Sequence, residues 1–472
     1  MRKNHSISII KLLRISCVVL MLLMIVVYAI VGDGIYTNLN TISLGELLGI
    51  LLLFMLYDAN VNNNKLLILL SWWLISFFLL RIITLNYTEY SAVLPRCNAD
   101  VRNVNNTILL LMAGGVVLWA AIHISKSRSR NNYNTSSLSG ISLSFNWTTI
   151  LFFISYFIYF IGKLESPLSG VLSIITNFLL YPTAIVFLYT TYITTVWPQL
   201  NKIQRVIALS AMGLFLIEAT LTGSRGGIFN LLIILFIAFL AQDYKKIKKR
   251  YVLGVVILVP LMFAVFVFTT YMRKLGAWQA STQEKVELIP QVIEIGKDLD
   301  TKDLVAPMFD RVGFLDFMIE MNANRAYFSS FINLKEEFKA TVDNALSPGF
   351  DLFDAPKIGT RIANSYSYGL NTVLSKKLNT KEDHKSDALT MFGESYVIFG
   401  IPLCFLFVAV IGTLFKKYWL YAHDSIFEKA VIKKAMCLFF FYSILYSYGF
   451  DWFILDVLRY YIAYCLFVSQ TS

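Results

Sequence analysis

Arg225 stands in "LTGSRGGIFN", residues 221–230, between two apolar runs. A guanidinium is a permanent cation whose planar fork of donors matches phosphate oxygens. Gly223, Gly226 and Gly227 let backbone approach a ligand closely. A helix beginning near Ile228 adds free N–H groups and the positive end of its dipole. Together these features make an anion site. The same ten residues also fit a plainer use, in which Arg225 pairs with Glu218, seven residues earlier on one helical face.

A second set of chemically capable residues lies in "EDHKSDALTMFGESYVIFG", residues 382–400. It holds His384 and, at the head of an apolar run, Glu394. A carboxylate buried there costs several kcal/mol unless it is paired or wet. A first-turn acid favoured by its own helix dipole, worth roughly 0.3–1 kcal/mol, explains Glu394 as well.

These residues need elements to position them, and the composition says which kind. Of 472 residues, 57% are hydrophobic and 15% charged, above the apolar share of a soluble domain. Long apolar runs recur, and runs of about 18 or more residues read as membrane helices. The predicted spans are 12–31, 43–57, 66–85, 107–125, 147–163, 168–193, 206–222, 227–242, 251–271, 391–415, 434–450 and 452–469. Basic residues before the first run could suggest a signal peptide, but the run is too long, so it reads as the first span. The five cysteines form no CxxC pair, which gives neither a disulfide framework nor a zinc site.

Basic residues test the count, because they collect on the cytoplasmic side. One alternate set of connections, including "SKSRSR" and "KKIKKR", carries twenty Lys and Arg against four acids. The segment 272–390 carries fifteen against seventeen and falls on the other face. The first set is therefore cytoplasmic, with both termini inside. The net charge of +11 is then an inner-face anchor rather than a nucleic-acid surface. The chain reads as an all-α polytopic membrane protein with about twelve transmembrane helices and a mainly helical outer loop layer. It divides into nine spans over 1–271, the large loop over 272–390 and three spans over 391–472.

Within the loop, "STQE" from Ser281 to Glu284 is a capping box. Val305, Phe309, Val312, Leu315 and Ile319 recur at helical spacing, and "NLKEEFKATVDNAL" is a helix capped by Asn333 and Glu336. No strand alternation or fixed repeat is evident. Asp456 and Arg459 in "DWFILDVLR" are spaced to pair along one helix face.

With this topology Arg225 and His384 both lie on the outer face. The arrangement resembles the O-antigen and capsule repeat-unit polymerases, the Wzy family. Gly223, Ser224, Arg225 and Gly226 match the family's turn motif, and Arg311 in "FDRVGFLDF" its loop arginine. Gly393, Glu394, Tyr396, Phe399 and Gly400 match its Gly-Glu-x-Tyr-x-x-Phe-Gly segment. The motifs are short, although the likeness spans the whole architecture. His384 stands ten residues before Glu394, which also resembles the related O-antigen ligases.

The resemblance implies a C-type glycosyltransferase-like enzyme of the bacterial inner membrane, with its large loop periplasmic or extracellular. The donor would be a growing glycan on undecaprenyl pyrophosphate, and the acceptor a repeat unit on the same lipid. Glycan passes to an acceptor hydroxyl and lipid pyrophosphate leaves, with no metal or other cofactor. A chain-length regulator and a flippase are implied partners, and nucleic acid is not. Fixed positive donors would meet the leaving charge: Arg225 with Ser224, Gly226 and Gly227, then Arg311, Arg273 and Arg361. The base for the sugar hydroxyl is His384, Glu394 or Asp316, and the sequence leaves that choice open. Arg311 and Asp316 are equally suited to be surface charges on an amphipathic helix. A ligase acting on a lipid or protein acceptor, or an oligosaccharide flippase, are the rival functions. A flippase would be expected to show repeat symmetry, and none is visible.

Overall fold

The computed structural model describes residues 6–85, 94, 99–124, 143–162, 175–176, 179–221, 225–242, 247–248, 264–265, 267–272, 275, 282–295, 313–346, 352–353, 355, 390–422, 424, 426–446 and 449–469. Helices dominate them. In chain order they are α1 (Ile9–Val31), α2 (Leu39–Val61), α3 (Lys65–Leu74), α4 (Leu80–Ile83), α5 (Val101–Ile124) and α6 (Phe145–Gly162). Then come α7 (Pro182–Val196), α8 (Lys202–Leu221), α9 (Arg225–Ala241), α10 (Thr282–Ile295), α11 (Phe314–Ala323) and α12 (Arg325–Phe328). The last are α13 (Leu334–Leu346), α14 (Met391–Phe399), α15 (Leu403–Tyr421), α16 (Phe427–Tyr446) and α17 (Phe450–Val468). One short antiparallel ladder, Ser6–Ile7 with Ile247–Lys248, joins two segments far apart in sequence.

Among the described residues five helices are long and apolar enough to cross a membrane: Ile9–Val31, Leu39–Val61, Lys65–Ile83, Val101–His123 and Leu403–Tyr421. In lipid every backbone polar group must be satisfied within its own segment, which helices do. Their outer faces say the same. On α1, Ile15, Val19, Leu22, Leu23, Val26 and Ile30 all stand exposed. A soluble protein does not leave so continuous an apolar surface uncovered. The protein is helical and membrane-embedded.

The core lies where the helices cross. α2 packs on α1, α3 and α5; α5 packs on α15; α9 packs on α7 and α16. Close approach needs small residues at particular points. A Cβ on Gly412 of α15 would lie 2.8 Å from Leu118 Cδ1 of α5, so the Leu118 side chain seats directly against the Gly412 backbone. Rings fill the centre: Trp73, Phe77, Phe314 and Phe392 lie in mutual edge or tilted contact.

Three sequence expectations change. The span over 391–415 is two helices, α14 and α15, separated at Gly400, whose φ of +68° ends α14, and Pro402, which brings no N–H to a helix. The span over 168–193 is interrupted: its described residues are helical at 175–176, turn at 179–180 and enter α7 at Pro182, Pro being suited to a first turn. The helix expected near Ile228 starts at Arg225. By contrast, α13 begins as expected, with Glu336 N–H donating to Asn333 Oδ1 at 3.1 Å. Of the amphipathic set, Leu315 and Ile319 are buried in α11, whereas Val305, Phe309 and Val312 lie outside the described residues. Ser281 of the expected capping box lies outside them too.

Between α15 and α16, Asp424 accepts from Lys433 Nζ at 2.7 Å and from Ile426 N–H at 3.2 Å. Burial works against this carboxylate, but Lys433 and the Ile426 N–H outweigh it and hold it below the usual carboxylate range. A group depressed on folding stabilises above its unfolded value and loses that contribution as pH falls through its folded value. Asp424→Asn is thus expected to lower the unfolding midpoint at pH 7, with the difference closing as the solution is acidified. Thermal unfolding in detergent across pH measures this, and a difference independent of pH contradicts it.

Candidate functional site

The segment Thr390–Gly400 joins the helices of 313–346 to the apolar bundle, and its residue types explain how. Thr390 opens α14 with φ 59° and ψ 149°, a conformation that strains a side-chain-bearing residue. Such strain, about 1–3 kcal/mol, persists only where the surroundings over-determine it, and it collects at functional sites. Here Thr390 is fully buried and its Oγ1 accepts from Gly393 N–H at 3.2 Å, capping the helix. Gly393 faces Met318 and Met321 of α11, where a Cβ would lie 3.1 Å from Met321 Sδ.

Glu394 is wholly buried. It does not simply serve the dipole of its own helix. One carboxyl oxygen, Oε1, accepts from Phe450 N–H at 2.9 Å, so Glu394 satisfies the first N–H of α17. Glu337 of α13 and Asp451 of α17, both buried, are its charged neighbours. Asn344, two turns on from Glu337 along α13, donates to Asp451 Oδ2 at 2.6 Å. One residue earlier on the same helix, Asp343 accepts from the backbone N–H groups of Leu352, Phe353 and Ala355. A cluster of acid and amide side chains therefore ties α13, α14 and α17 together.

Asp316 lies in the first turn of α11, which packs on α14. It is buried rather than on a surface. Arg81, itself fully buried, grips it at both ends: Nε to Oδ1 and Nη2 to Oδ2, each 2.9 Å. Arg81 Nη1 donates to Thr84 O and Thr84 Oγ1 at 3.1 and 3.0 Å. A π-helical turn, Ile75–Leu79, resets the helix register one turn before Arg81. Bidentate charge-assisted geometry of this kind fixes orientation as well as energy.

Arg225, Gly226 and Gly227 form the first turn of α9. The leading N–H groups of a helix have no partner within it, so the whole motif, and not its downstream neighbour alone, offers donors. Glu218 accepts from Tyr159 Oη at 3.5 Å. Ser224, Arg273, Arg311, Arg361 and His384 lie outside the described residues. Asp316 and Glu394 are thus the expected proton acceptors that the structure brings onto adjoining helices. The Arg459 guanidinium, three residues after Asp456 on α17, lies over the rings of Tyr181 and Trp452, 4.7 and 5.4 Å from their centroids, a cation–π arrangement.

Sequence reading missed Arg81, Arg325, Glu337, Asn344 and Asp451. The signal for Arg81 was present, since a charge inside an apolar run is costly unless paired. Glu337, Asn344 and Arg325 carried none, because each sits among ordinary polar neighbours in the sequence. No group of three or more His, Cys, Asp or Glu among the described residues is arranged to hold a metal ion.

Apolar helices with bare outer faces, locked to a polar joint, define a helical membrane-embedded protein. No family model, no curated protein and no solved structure matches the chain.

Proposed function

We propose that this chain is a membrane glycosyltransferase that polymerises undecaprenyl-pyrophosphate-linked repeat units at the outer face of a bacterial cytoplasmic membrane. In this reading the C1–O bond between the donor sugar and pyrophosphate breaks. An acceptor hydroxyl oxygen forms the new bond to C1, its proton passes to a carboxylate or imidazole, and lipid pyrophosphate leaves. The observation that carries the reading is the start of α9 at Arg225. A helix that begins at an arginine followed by two glycines offers its leading backbone N–H groups, which have no acceptor within the helix, and fixed donors of this kind meet developing phosphate charge. The strained, buried entry to α14 at Thr390, with Glu394 four residues on, supports a functional role for the second motif.

The reading includes about twelve spans, a C-type glycosyltransferase-like architecture and both termini in the cytoplasm. The ladder of Ser6–Ile7 with Ile247–Lys248 favours this sidedness, because it pairs two of the basic connections. Arg311, Arg273 and Arg361 are further pyrophosphate ligands in this reading, and His384, Glu394 and Asp316 the proton acceptors to be tested.

The deciding experiment is turnover of a defined lipid-linked repeat unit by purified protein. Arg225→Lys is expected to lose about tenfold or more in rate at normal protein level, since a point charge does not replace a fork. Wild-type rate in that variant removes the anion-site reading. Cells lacking the gene should carry glycans one repeat long. Long polymer left on its carrier would instead mean a ligase, and repeat units trapped inside would mean a flippase.

A further inference from the structure

Arg325 is the first residue of α12 and packs on Tyr396, which lines a cavity together with residues of α5 and α15. Its Nε donates to Tyr396 O at 3.2 Å, and its guanidinium lies 5.2 Å from the Tyr396 ring centroid. The group fits because Gly400 has no side chain: a Cβ there would lie 2.6 Å from Arg325 Nη2. Among the described residues no carboxylate pairs with Arg325 and neither terminal nitrogen has a hydrogen-bond acceptor. This differs from Arg81, whose donors are engaged by Asp316 and Thr84. A half-buried guanidinium, positioned by its stem and ring contacts, keeps the edge of its fork for something else.

Beside it is a cavity of about 350 Å³. Its polar lining is Asn106, Asn322 and Tyr396. Asn322 is fixed there by donating to Asn103 O and Thr107 Oγ1. Its apolar lining includes Leu109 and Ala113 of α5, Ile401, and Phe405 of α15. Both helices are among the membrane-crossing ones, and Leu109 and Ile401 are exposed. A cation held against the lining residue Tyr396 and hydrocarbon walls between two spans are the two halves of one ligand's chemistry.

We propose that this is a binding site for a lipid bearing a phosphate headgroup, with the phosphate on the Arg325 fork and a hydrocarbon chain along Leu109, Ala113, Ile401 and Phe405. The occupant comes from the bilayer rather than from solution, because the apolar half of the cavity lies between membrane spans. The site is separate from Arg225, and its test reads binding, so a failed Arg225→Lys experiment leaves it standing.

The test titrates purified full-length protein in mild detergent with phosphatidylglycerol, with diacylglycerol of the same chains and with inorganic phosphate, read by native mass spectrometry. Phosphatidylglycerol should bind at least about tenfold more tightly than either of the others, reflecting loss of charge-assisted hydrogen bonds or of chain burial. Arg325→Gln should weaken phosphatidylglycerol binding about tenfold. Ala113→Phe, which fills the apolar half and leaves the arginine, should weaken it as well. Unfolding midpoints show that each variant is folded, and the two act at opposite ends, so either alone can decide. Equal binding of diacylglycerol, equal binding of inorganic phosphate, or wild-type affinity in a folded variant overturns the proposal.

Discussion

Asp316→Ala is expected to destabilise the protein by about 3–5 kcal/mol, the cost of leaving one member of a buried ion pair without the other. The reason is geometric. Arg81 is fully buried and two of its nitrogens are spent on Asp316. With the carboxylate gone, a permanent cation stays in a low-dielectric site, and arginine does not neutralise itself by losing a proton. Arg81→Met should cost a comparable amount. The double variant Arg81→Met with Asp316→Leu should recover most of the loss, because removing both charges also removes their desolvation penalty. Thermal unfolding of the purified protein in detergent measures all three. Additive single effects, with no recovery in the double variant, would contradict a paired role. The double variant also separates structure from chemistry. If Asp316 takes the acceptor's proton, that variant folds and is inactive. If Asp316 serves only to hold α11 against α4, activity returns with stability.

Glu394 should give the second-largest effect, and its two variants should part company. Glu394→Ala leaves the Phe450 N–H without its acceptor at the head of α17, and orphaning a buried donor costs about 1–3 kcal/mol. Glu394→Gln keeps an acceptor oxygen of similar reach. It also puts a neutral amide where a carboxyl faced two others, Glu337 and Asp451. The glutamine variant is therefore expected to be at least as stable as the parent, and the alanine variant clearly less so. Equal midpoints for the two variants would show that the bond to Phe450 contributes little. Loss of turnover in a stable Glu394→Gln protein would assign the proton-accepting role to Glu394, which alanine alone cannot do because it damages the fold as well.

The two motifs carried by the family resemblance have structural reasons that differ from each other. The first is local. Arg225, Gly226 and Gly227 are consecutive, and a helix start needs only its own residues to expose N–H groups. The second is a junction. Gly393 admits the methionines of α11, Glu394 caps α17, the Tyr396 carbonyl and ring hold Arg325, and Gly400 leaves room for that guanidinium. Each of these residues answers to a different element. A short string of this sort is one face of a three-dimensional joint, and each member is fixed by a neighbour the string does not contain.

Sequence by itself determined the helical class, most helix positions and the cap at Asn333. Helices satisfy their backbone within a few residues, and apolar runs and Asx caps are local features. It also marked Glu394 as a carboxylate needing a partner. Tertiary structure alone decided who the partners are: Asp316 meets Arg81 across 235 positions, and Glu394 meets Phe450 across 56. It likewise decided that the apolar run from residue 391 is broken at Gly400 and Pro402, and that Arg325, rather than a more conspicuous arginine, holds the cavity-lining Tyr396. Contacts between residues so distant leave no period in the chain. They follow from which helix faces pack together, and that depends on the shapes and volumes of many side chains at once.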